Sequence, residues 1–251
     1  MSIFTILYRN VKWRLHNSFT IIITILQPVL WLVLYSVVAG QTMKNTGIEN
    51  YTAFILPGLV VLVSFSVCSS GGIMNYMMKS DGSFYRILTA PVRRSSIVLG
   101  QLLEAVLCTL FEVGIMCAVS LFFSVRIAAD ITGMLIMIIL VFLTAFFMAG
   151  LAYGISLLLP NEVIYETVMN AIVLPIFFLS TALFPPDGIS GFLRAAININ
   201  PFTHVIHVLR ELILYGTVRA NSLVFVLILL GGMGGIGFTW ALYRLEKELD
   251  L

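Results

Sequence analysis

The chain has 251 residues, of which 60% are hydrophobic and 10% charged, and its mean hydropathy is +1.04. Soluble domains carry about 25% charged residues, so this composition excludes a water-soluble globular protein. It predicts an all-α polytopic membrane protein with room for about six spans of about 20 residues each. The net charge of +2 is too small to indicate binding to nucleic acid.

Residues 1–17 predict an interfacial helix ahead of the first span. At 100° per residue, Phe4, Tyr8 and Leu15 share one side of it with Leu7 and Val11. Basic and polar residues occupy the other side, and a basic amphipathic helix of this kind lies in the headgroup layer of a membrane. Arg14 fits neither side well.

Six apolar runs follow that are long enough to be membrane spans at 1.5 Å per residue. They cover approximately residues 19–40, 52–77, 96–125, 131–159, 163–184 and 222–243. Pro28 predicts a kink in the first run. The cysteines lie inside these runs without metal-ligand spacing, so we interpret them as packing residues.

The segment 78–94 is a basic island between two apolar runs. Ser80 and Asp81 are natural N-cap residues, and a two-turn helix over residues 84–88 would be stopped by Pro91. Such a short helix is unstable alone in water, so another surface should pack on its aromatic and aliphatic side. The segment is either a loop lying in the headgroup layer or a docking surface for a cytoplasmic partner.

Residues 185–220 contain several prolines and glycines and two apolar stretches, 189–199 and 202–214, that are too short to cross a membrane. Stretches of this length are typical of re-entrant or interfacial segments. We expect them on the outer side, with both termini in the cytoplasm. In that orientation nine basic residues lie inside and five outside, as the distribution of Lys and Arg in membrane proteins favours.

Polar residues within the apolar runs are candidates for function, because charges inside a membrane are costly. Gln101, Glu104, Cys108 and Glu112 share one face of the third span. They form either a cavity-facing stripe for a cation or proton, or a packed set in which Glu104 pairs with a cytoplasmic Arg and Glu112 is hydrogen-bonded within the bundle.

Glu162, Glu166 and Asn170 follow at a spacing of four residues near the start of the fifth span. They indicate either a helix end that is exposed to water or a gate in which Glu166 pairs with Arg14 or with the Arg93–Arg94 pair. A candidate translocation pathway combines Glu112 with residues of the second and fifth spans. Those residues are Phe65, Ser66, Ser69, Met169, Asn170, Phe177 and Phe178.

His204, His207 and Glu211 share one helix face in the outer segment. This spacing is compatible with zinc, but the apolar surroundings favour ordinary packing, and we assign no metal site. The H-E-x-x-H pattern of a zinc protease is absent from the sequence.

Four stretches in order resemble ABC-2-type permeases, the membrane subunits of one class of ATP-binding-cassette exporters. "SFYRILTAPVRRSSIVLGQLL", with Ala90-Pro91 and Arg93-Arg94, resembles the family's cytoplasmic coupling loop. The outer segment resembles the family through Phe184-Pro185, Asn200-Pro201 and Arg210, whereas His204 and His207 depart from its usual residues. The remaining matches are Gln27-Pro28 and Leu56-Pro57-Gly58.

The resemblance implies one transmembrane domain over residues 1–251 and a bacterial inner-membrane location. It implies a short helix that docks into a separate ATPase subunit, present in two copies together with a second copy of this permease. The coupling residues would be Ser83, Phe84, Tyr85, Arg86, Ile87, Leu88, Ala90, Pro91, Arg93 and Arg94, with Glu104 and Glu166 as candidate gate or coupling residues.

The sequence contains no G-x-x-x-x-G-K-[ST] phosphate loop, so ATP and Mg would be bound by the partner and this chain would not itself be an enzyme. The expected cargo is an amphipathic drug, antibiotic or lipid-like molecule. Two alternatives remain. One is an ion-coupled secondary transporter that uses Glu104, Glu112 and Glu166, although the internal symmetry common in such folds is not visible. The other is a membrane enzyme built on His204, His207 and Glu211.

Overall fold

The computed structural model describes residues 3–16, 18–42, 50–183 and 190–248. All regular secondary structure in these ranges is α-helical, which confirms the all-α part of the predicted fold class. The helices are α1 (Ile3–His16), α2 (Ser18–Thr42), α3 (Tyr51–Ser80), α4 (Ser83–Leu88), α5 (Arg94–Leu121), α6 (Ile131–Leu158), α7 (Glu162–Phe178), α8 (Gly191–Ile199), α9 (Pro201–Tyr215) and α10 (Ala220–Lys247).

Four of the described helices, α3, α5, α6 and α10, are long and apolar enough to cross a membrane. They correspond to the second, third, fourth and sixth predicted spans. Helix α2 has 25 residues, but its described apolar stretch is the shorter Ile25–Val37. Helix α7 has 17 residues, or about 25 Å at 1.5 Å per residue, which is shorter than a hydrocarbon core of about 30 Å.

Two predicted spans end earlier than the hydrophobic pattern indicated. The fifth ends at Phe178 instead of residue 184, where the Leu179 N–H donates to the Pro175 carbonyl and the Ser180 hydroxyl donates to the Phe177 carbonyl. The third ends at Leu121, and the chain turns through Ser124, whose φ is +59°. In both places apolar residues beyond the helix lie in turns, which hydropathy alone does not distinguish from helix.

Helix α3 forms the centre of the bundle, since 89% of its most apolar stretch of 18 residues is buried. It packs against α2, α5, α6, α7 and α9. Helices α6 and α10 also pack closely, because a Cβ atom at Gly150 would lie 2.9 Å from the Gly237 carbonyl carbon. Small residues allow this kind of approach between membrane helices.

Side-chain hydrogen bonds show which helix ends lie together. At the end that carries α4, Tyr76 donates to the Leu159 carbonyl at 3.0 Å. At the opposite end, which carries α9, Asn50 donates to the Ser124 carbonyl at 3.1 Å and Tyr51 donates to the Leu183 carbonyl at 2.6 Å. Helices α3, α5, α6 and α7 therefore alternate in direction. We call these two ends the α4 end and the α9 end.

The two short apolar stretches within residues 185–220 form the helices α8 and α9, which are joined at Asn200. The Asn200 side chain accepts from the Phe202 N–H at 3.0 Å and donates to the Ile176 and Leu179 carbonyls at 2.6 and 2.8 Å. It thus fixes the end of α7 to the start of α9. Phe184, Pro185, Pro186 and Gly188, which carried other predictions for this segment, lie outside the described residues.

Candidate coupling surface and buried polar network

Helix α4 begins after Gly82, whose φ of +70° favours glycine over other residues. The prediction that Ser80 and Asp81 cap α4 is wrong. Helix α3 continues to Ser80, and Asp81 is its C-cap, with the backbone N–H bonded to the Lys79 and Met77 carbonyls. The left-handed turn at Gly82 then reverses the chain into α4.

The two faces of α4 differ in exposure. Phe84 and Leu88 are 2% and 7% exposed, whereas Tyr85 is 57% exposed and Arg86 is also exposed. The expected packing on the aromatic and aliphatic side is therefore supplied by this chain itself. Because they are buried in this way, Phe84 and Leu88 do not present a contact surface to a partner in this structure.

Polar contacts join α4 to α3 and α5, and the adjoining end of α3 is joined to α10. The Lys79 ammonium lies 5.2 Å from the centre of the Phe84 ring and pairs with Glu248 at the end of α10. Arg94, the first residue of α5, donates to the Leu88 carbonyl at 3.0 Å, and Ser83 donates to the Met78 carbonyl at 3.3 Å. Helix α4 is thus bonded directly to α3 and α5, and it is linked to α10 only through Lys79 of α3.

The exposed members of the predicted coupling set form one candidate docking surface, which we call the α4 surface. It consists of Tyr85, Arg86, Pro91 and Arg93. Of the other predicted coupling residues, Ser83, Ile87, Ala90 and Arg94 are half-buried. The α4 surface therefore combines one aromatic ring with two guanidinium groups.

A buried ion pair joins α1 to α5. Arg14 Nη1 lies 3.1 Å from Glu104 Oε1, and the two residues are 3% and 0% exposed. Arg14 Nη2 also donates to the Ser70 hydroxyl at 2.6 Å, and the Cys108 thiol donates to Glu104 at 3.4 Å. The structure thus pairs Glu104 with an Arg, as the second predicted alternative expected, and that Arg is Arg14.

A second set of bonds lies one turn from this ion pair. Asn10 donates to Gln101 Oε1 at 2.9 Å and accepts from Arg9 Nη2 at 2.7 Å. At the next turn Ile6 packs on Gly100, where a Cβ atom would lie 2.6 Å from the isoleucine. Helix α1 therefore has a third, buried face, which accounts for the poor fit of Arg14 to a two-faced helix.

The charge of Arg14 is stabilised within this network. Burial alone lowers the pKa of the guanidinium, but the negative charge of Glu104 and its hydrogen bond to Arg14 raise the pKa above its ordinary value. The group is therefore fully charged in the protein. The predicted pairing of Arg14 with Glu166 is wrong, because Glu104 occupies Arg14 while Glu166 is exposed on α7.

The structure divides the predicted pathway residues into three groups by exposure. Phe65, Glu112, Met169 and Phe177 are buried inside the chain, and Phe65 packs edge-on against Phe202 with ring centres 4.7 Å apart. Ser66 and Ser69 are half-buried, while Asn170 and Phe178 are exposed on α7 together with Glu166. The members of the first group therefore pack within one chain, and those of the exposed group face outward.

The two histidines of α9 each lie near an oxygen atom of this chain. Among the described residues, no group of three His, Cys, Asp or Glu side chains is arranged to hold a metal ion. His207 Nδ1 lies 3.9 Å from Glu211 Oε2, and His204 Nε2 lies 3.0 Å from the Asn198 carbonyl.

Sequence reasoning missed two contacts that fix this architecture. Arg210 stacks 3.8 Å from the centre of the Phe54 ring and donates to the Thr181 carbonyl at 2.6 Å, which fastens α9 to α3. Tyr165 packs on Gly72 and donates to the Ser69 carbonyl at 2.8 Å, which fastens α7 to α3. An Arg inside an apolar stretch signals the first contact, whereas nothing in the sequence pairs Tyr165 with Gly72.

A profile of the ABC-2 type transporter family matches residues 1–214. A ycf38 transport permease from Pyropia yezoensis is 29% identical over 220 residues, which cover 83% of this chain and 71% of that protein. The daunorubicin resistance ABC transporter permease protein DrrB1 of Streptomyces coeruleorubidus is 25% identical over 248 residues, covering 96% and 85%. Nodulation protein J of Rhizobium leguminosarum bv. trifolii is 23% identical over 208 residues, covering 81% and 78%.

The chain therefore belongs to the ABC-2 type transporter family, whose members are transport permeases. ABC-2 permeases in general work with ABC ATPase subunits. The family assignment confirms the resemblance on which the interpretation of the 78–94 segment depended.

Proposed function

We propose that this chain is the membrane subunit of an ATP-driven exporter and that the α4 surface is its contact with the ATPase subunit. The observation that carries the proposal is the arrangement of α4. It is a folded helix at the end of the bundle with its apolar side buried and Tyr85 and Arg86 exposed. An aromatic ring and a guanidinium are side chains enriched at protein interfaces.

The contacts of α4 suit a mechanical coupling. A motor protein pushing on this helix meets a stiff element, because Arg94 joins α4 to α5 and the Lys79–Glu248 pair joins the adjoining end of α3 to α10. Glu104 lies about three turns along α5 from Arg94, and its ion pair with Arg14 joins α5 to α1. The movement would thus reach several helices of the bundle together.

A second copy of the chain would complete the transport path, as a closed two-fold assembly. Support comes from α7, where Glu166, Thr167 and Asn170 are exposed on one side of an apolar helix. Polar groups that face lipid are costly. If the α7 helices of two copies faced each other across water, these groups would be solvated and that cost would be removed. In this assembly α2 and α7 complete a six-span subunit with both termini and α4 in the cytoplasm of a bacterial cell.

The proposed cargo is an amphipathic small molecule such as a drug or antibiotic. The similarity to a daunorubicin resistance permease supports this class, and the α7 face combines Phe178 with polar neighbours. ATP and Mg would be bound by the ATPase subunit, since the chain has no phosphate-binding loop in its sequence.

The test is co-purification of the ATPase subunit with tagged permease variants from membranes in which both proteins are expressed. The double variant Tyr85→Ala, Arg86→Ala should lose the ATPase subunit while the permease still inserts in the membrane. A matched control is Tyr215→Ala, Arg219→Ala, which removes an exposed Tyr and an exposed Arg at the α9 end. Equal recovery of the ATPase subunit with both double variants would refute the proposed contact.

A further inference from the structure

A cavity of about 450 Å³ lies between α5, α6 and α9 at the α9 end. Its volume is within the range of about 300–1,000 Å³ that is typical of ligand pockets. The lining is apolar apart from the thiol of Cys117 and includes Gly114, Met137, Ile138 and Leu209. None of these residues belongs to the α4 surface or to the proposed pathway on α7.

The cavity opens toward the space that lipid would occupy. Gly114 is exposed, and Met134 and Ile138 are 47% and 50% exposed at its rim. A Cβ atom at Gly114 would meet nothing within 4 Å, so the glycine leaves the opening clear. Helices α5 and α6 are both long and apolar enough to cross a membrane, which places this opening beside lipid tails.

A charged residue next in sequence to the cavity lining indicates the kind of occupant. Ile127 lines the cavity, and the adjacent Arg126 is exposed just before α6 begins. The nearby Asp130 carboxylate accepts from the Gly133 N–H at 2.7 Å and caps α6, where the positive end of the helix dipole offsets its charge. An exposed guanidinium one residue from the lining of an apolar cavity matches a phosphate joined to a hydrocarbon chain.

We propose that this cavity is a phospholipid site, which takes an acyl chain between α5 and α6 and places the phosphate at Arg126. An amphipathic cargo fits it less well, because a polar group inside would find no hydrogen-bond partner, and burying such a group unpaired is costly. The site would hold a lipid from the leaflet at the α9 end. Lipid binding at this cavity does not require the proposed contact between α4 and an ATPase subunit.

Native mass spectrometry of the full chain in mild detergent, titrated with dioleoyl phosphatidylglycerol, tests the site. The wild-type chain should retain a phospholipid that Gly114→Phe loses, because the phenyl ring fills the opening. Gly231→Phe is the matched control, since Gly231 is exposed on α10 with nothing within 4 Å of its Cβ position. Thermal unfolding of each variant shows whether the fold is retained.

The phosphate contact has a separate test. Arg126→Gln should weaken binding of the same lipid relative to Arg219→Gln, which removes another exposed Arg at the α9 end. Equal lipid retention by Gly114→Phe and Gly231→Phe would overturn the proposal. Replacement of the retained phospholipid by a non-lipid compound in the wild-type chain would also overturn it, in favour of a cargo site.

Discussion

Arg14 and Glu104, 90 positions apart in the sequence, form an ion pair of 3.1 Å that is almost wholly shielded from solvent. The pair fixes α1, the first described helix, to the middle of α5. Removing one partner leaves the other charge buried, which typically costs about 3–5 kcal/mol. The pair therefore makes the position of α1 dependent on α5.

We expect Glu104→Gln and Arg14→Gln each to lower the thermal unfolding temperature of the purified chain. The double variant Arg14→Met, Glu104→Leu should recover much of the loss, because apolar residues of similar volume can replace a buried pair. A thermal melt of the two single variants and the double variant measures this coupling. Additive losses in the double variant would contradict it.

Phe84→Ala is expected to loosen α4, because truncating a buried Phe costs about 3–5 kcal/mol and this ring is 2% exposed. Tyr85→Ala, on the exposed face, should leave the local fold unchanged. Limited trypsin digestion provides the measurement, since Arg86 and Arg93 are cleavage sites within the segment. Faster cleavage of the Phe84 variant alone is the expected result, and identical digestion rates would show that Phe84 does not hold the helix.

The adjacent residues Gly71 and Gly72 provide a matched pair. A Cβ atom at Gly72 would overlap the Tyr165 side chain, whereas at Gly71 its nearest neighbour is the Ala105 Cβ at 3.9 Å. We expect Gly72→Ala to destabilise the chain by about 1–3 kcal/mol, as overpacking does, and Gly71→Ala to be nearly neutral. Thermal unfolding of the two variants in the same detergent compares them, and equal unfolding temperatures would argue against the α3–α7 packing.

The proposed two-fold assembly predicts contact between copies along α7. Asn170→Cys, at an exposed position of α7, should give a disulfide-linked dimer in membranes treated with a mild oxidant. Ile228→Cys, which replaces a residue 71% exposed on α10, is the control and should remain monomeric. Gel electrophoresis without reductant measures the fraction of crosslinked dimer. Equal crosslinking of both variants would contradict the proposed contact along α7.

Hydrophobic patterning located the helices better than their ends. The predicted 131–159 span became α6 (Ile131–Leu158) almost unchanged, because an apolar run bounded by polar residues has few alternatives. The predicted 163–184 span was six residues longer than α7 at its C-terminal end. Turn residues such as Thr181 and Leu183 are buried in the structure. Because a buried turn can have the same hydropathy as a buried helix, the pattern does not show where the helix ends.

Exposure of individual side chains was harder to predict. The sequence showed that α4 would have an aromatic and aliphatic side, but not that the chain itself covers Phe84 and Leu88. Likewise Glu104 was recognisable as a costly intramembrane carboxylate, and its partner was not, because Arg14 is distant in sequence. Such pairings depend on how helices from different parts of the chain approach one another.

Composition and periodicity by themselves determined that this protein is a helical membrane protein, because a chain with so few charges has no means of covering itself with a wetted surface. The order of short motifs determined its family. Only the tertiary structure decided which face of each helix is available to a partner, a lipid or a second copy. The physical reason is that exposure is a property of the packed bundle, in which neighbours such as Tyr165 on Gly72 or Arg14 on Glu104 cover some groups and leave others free.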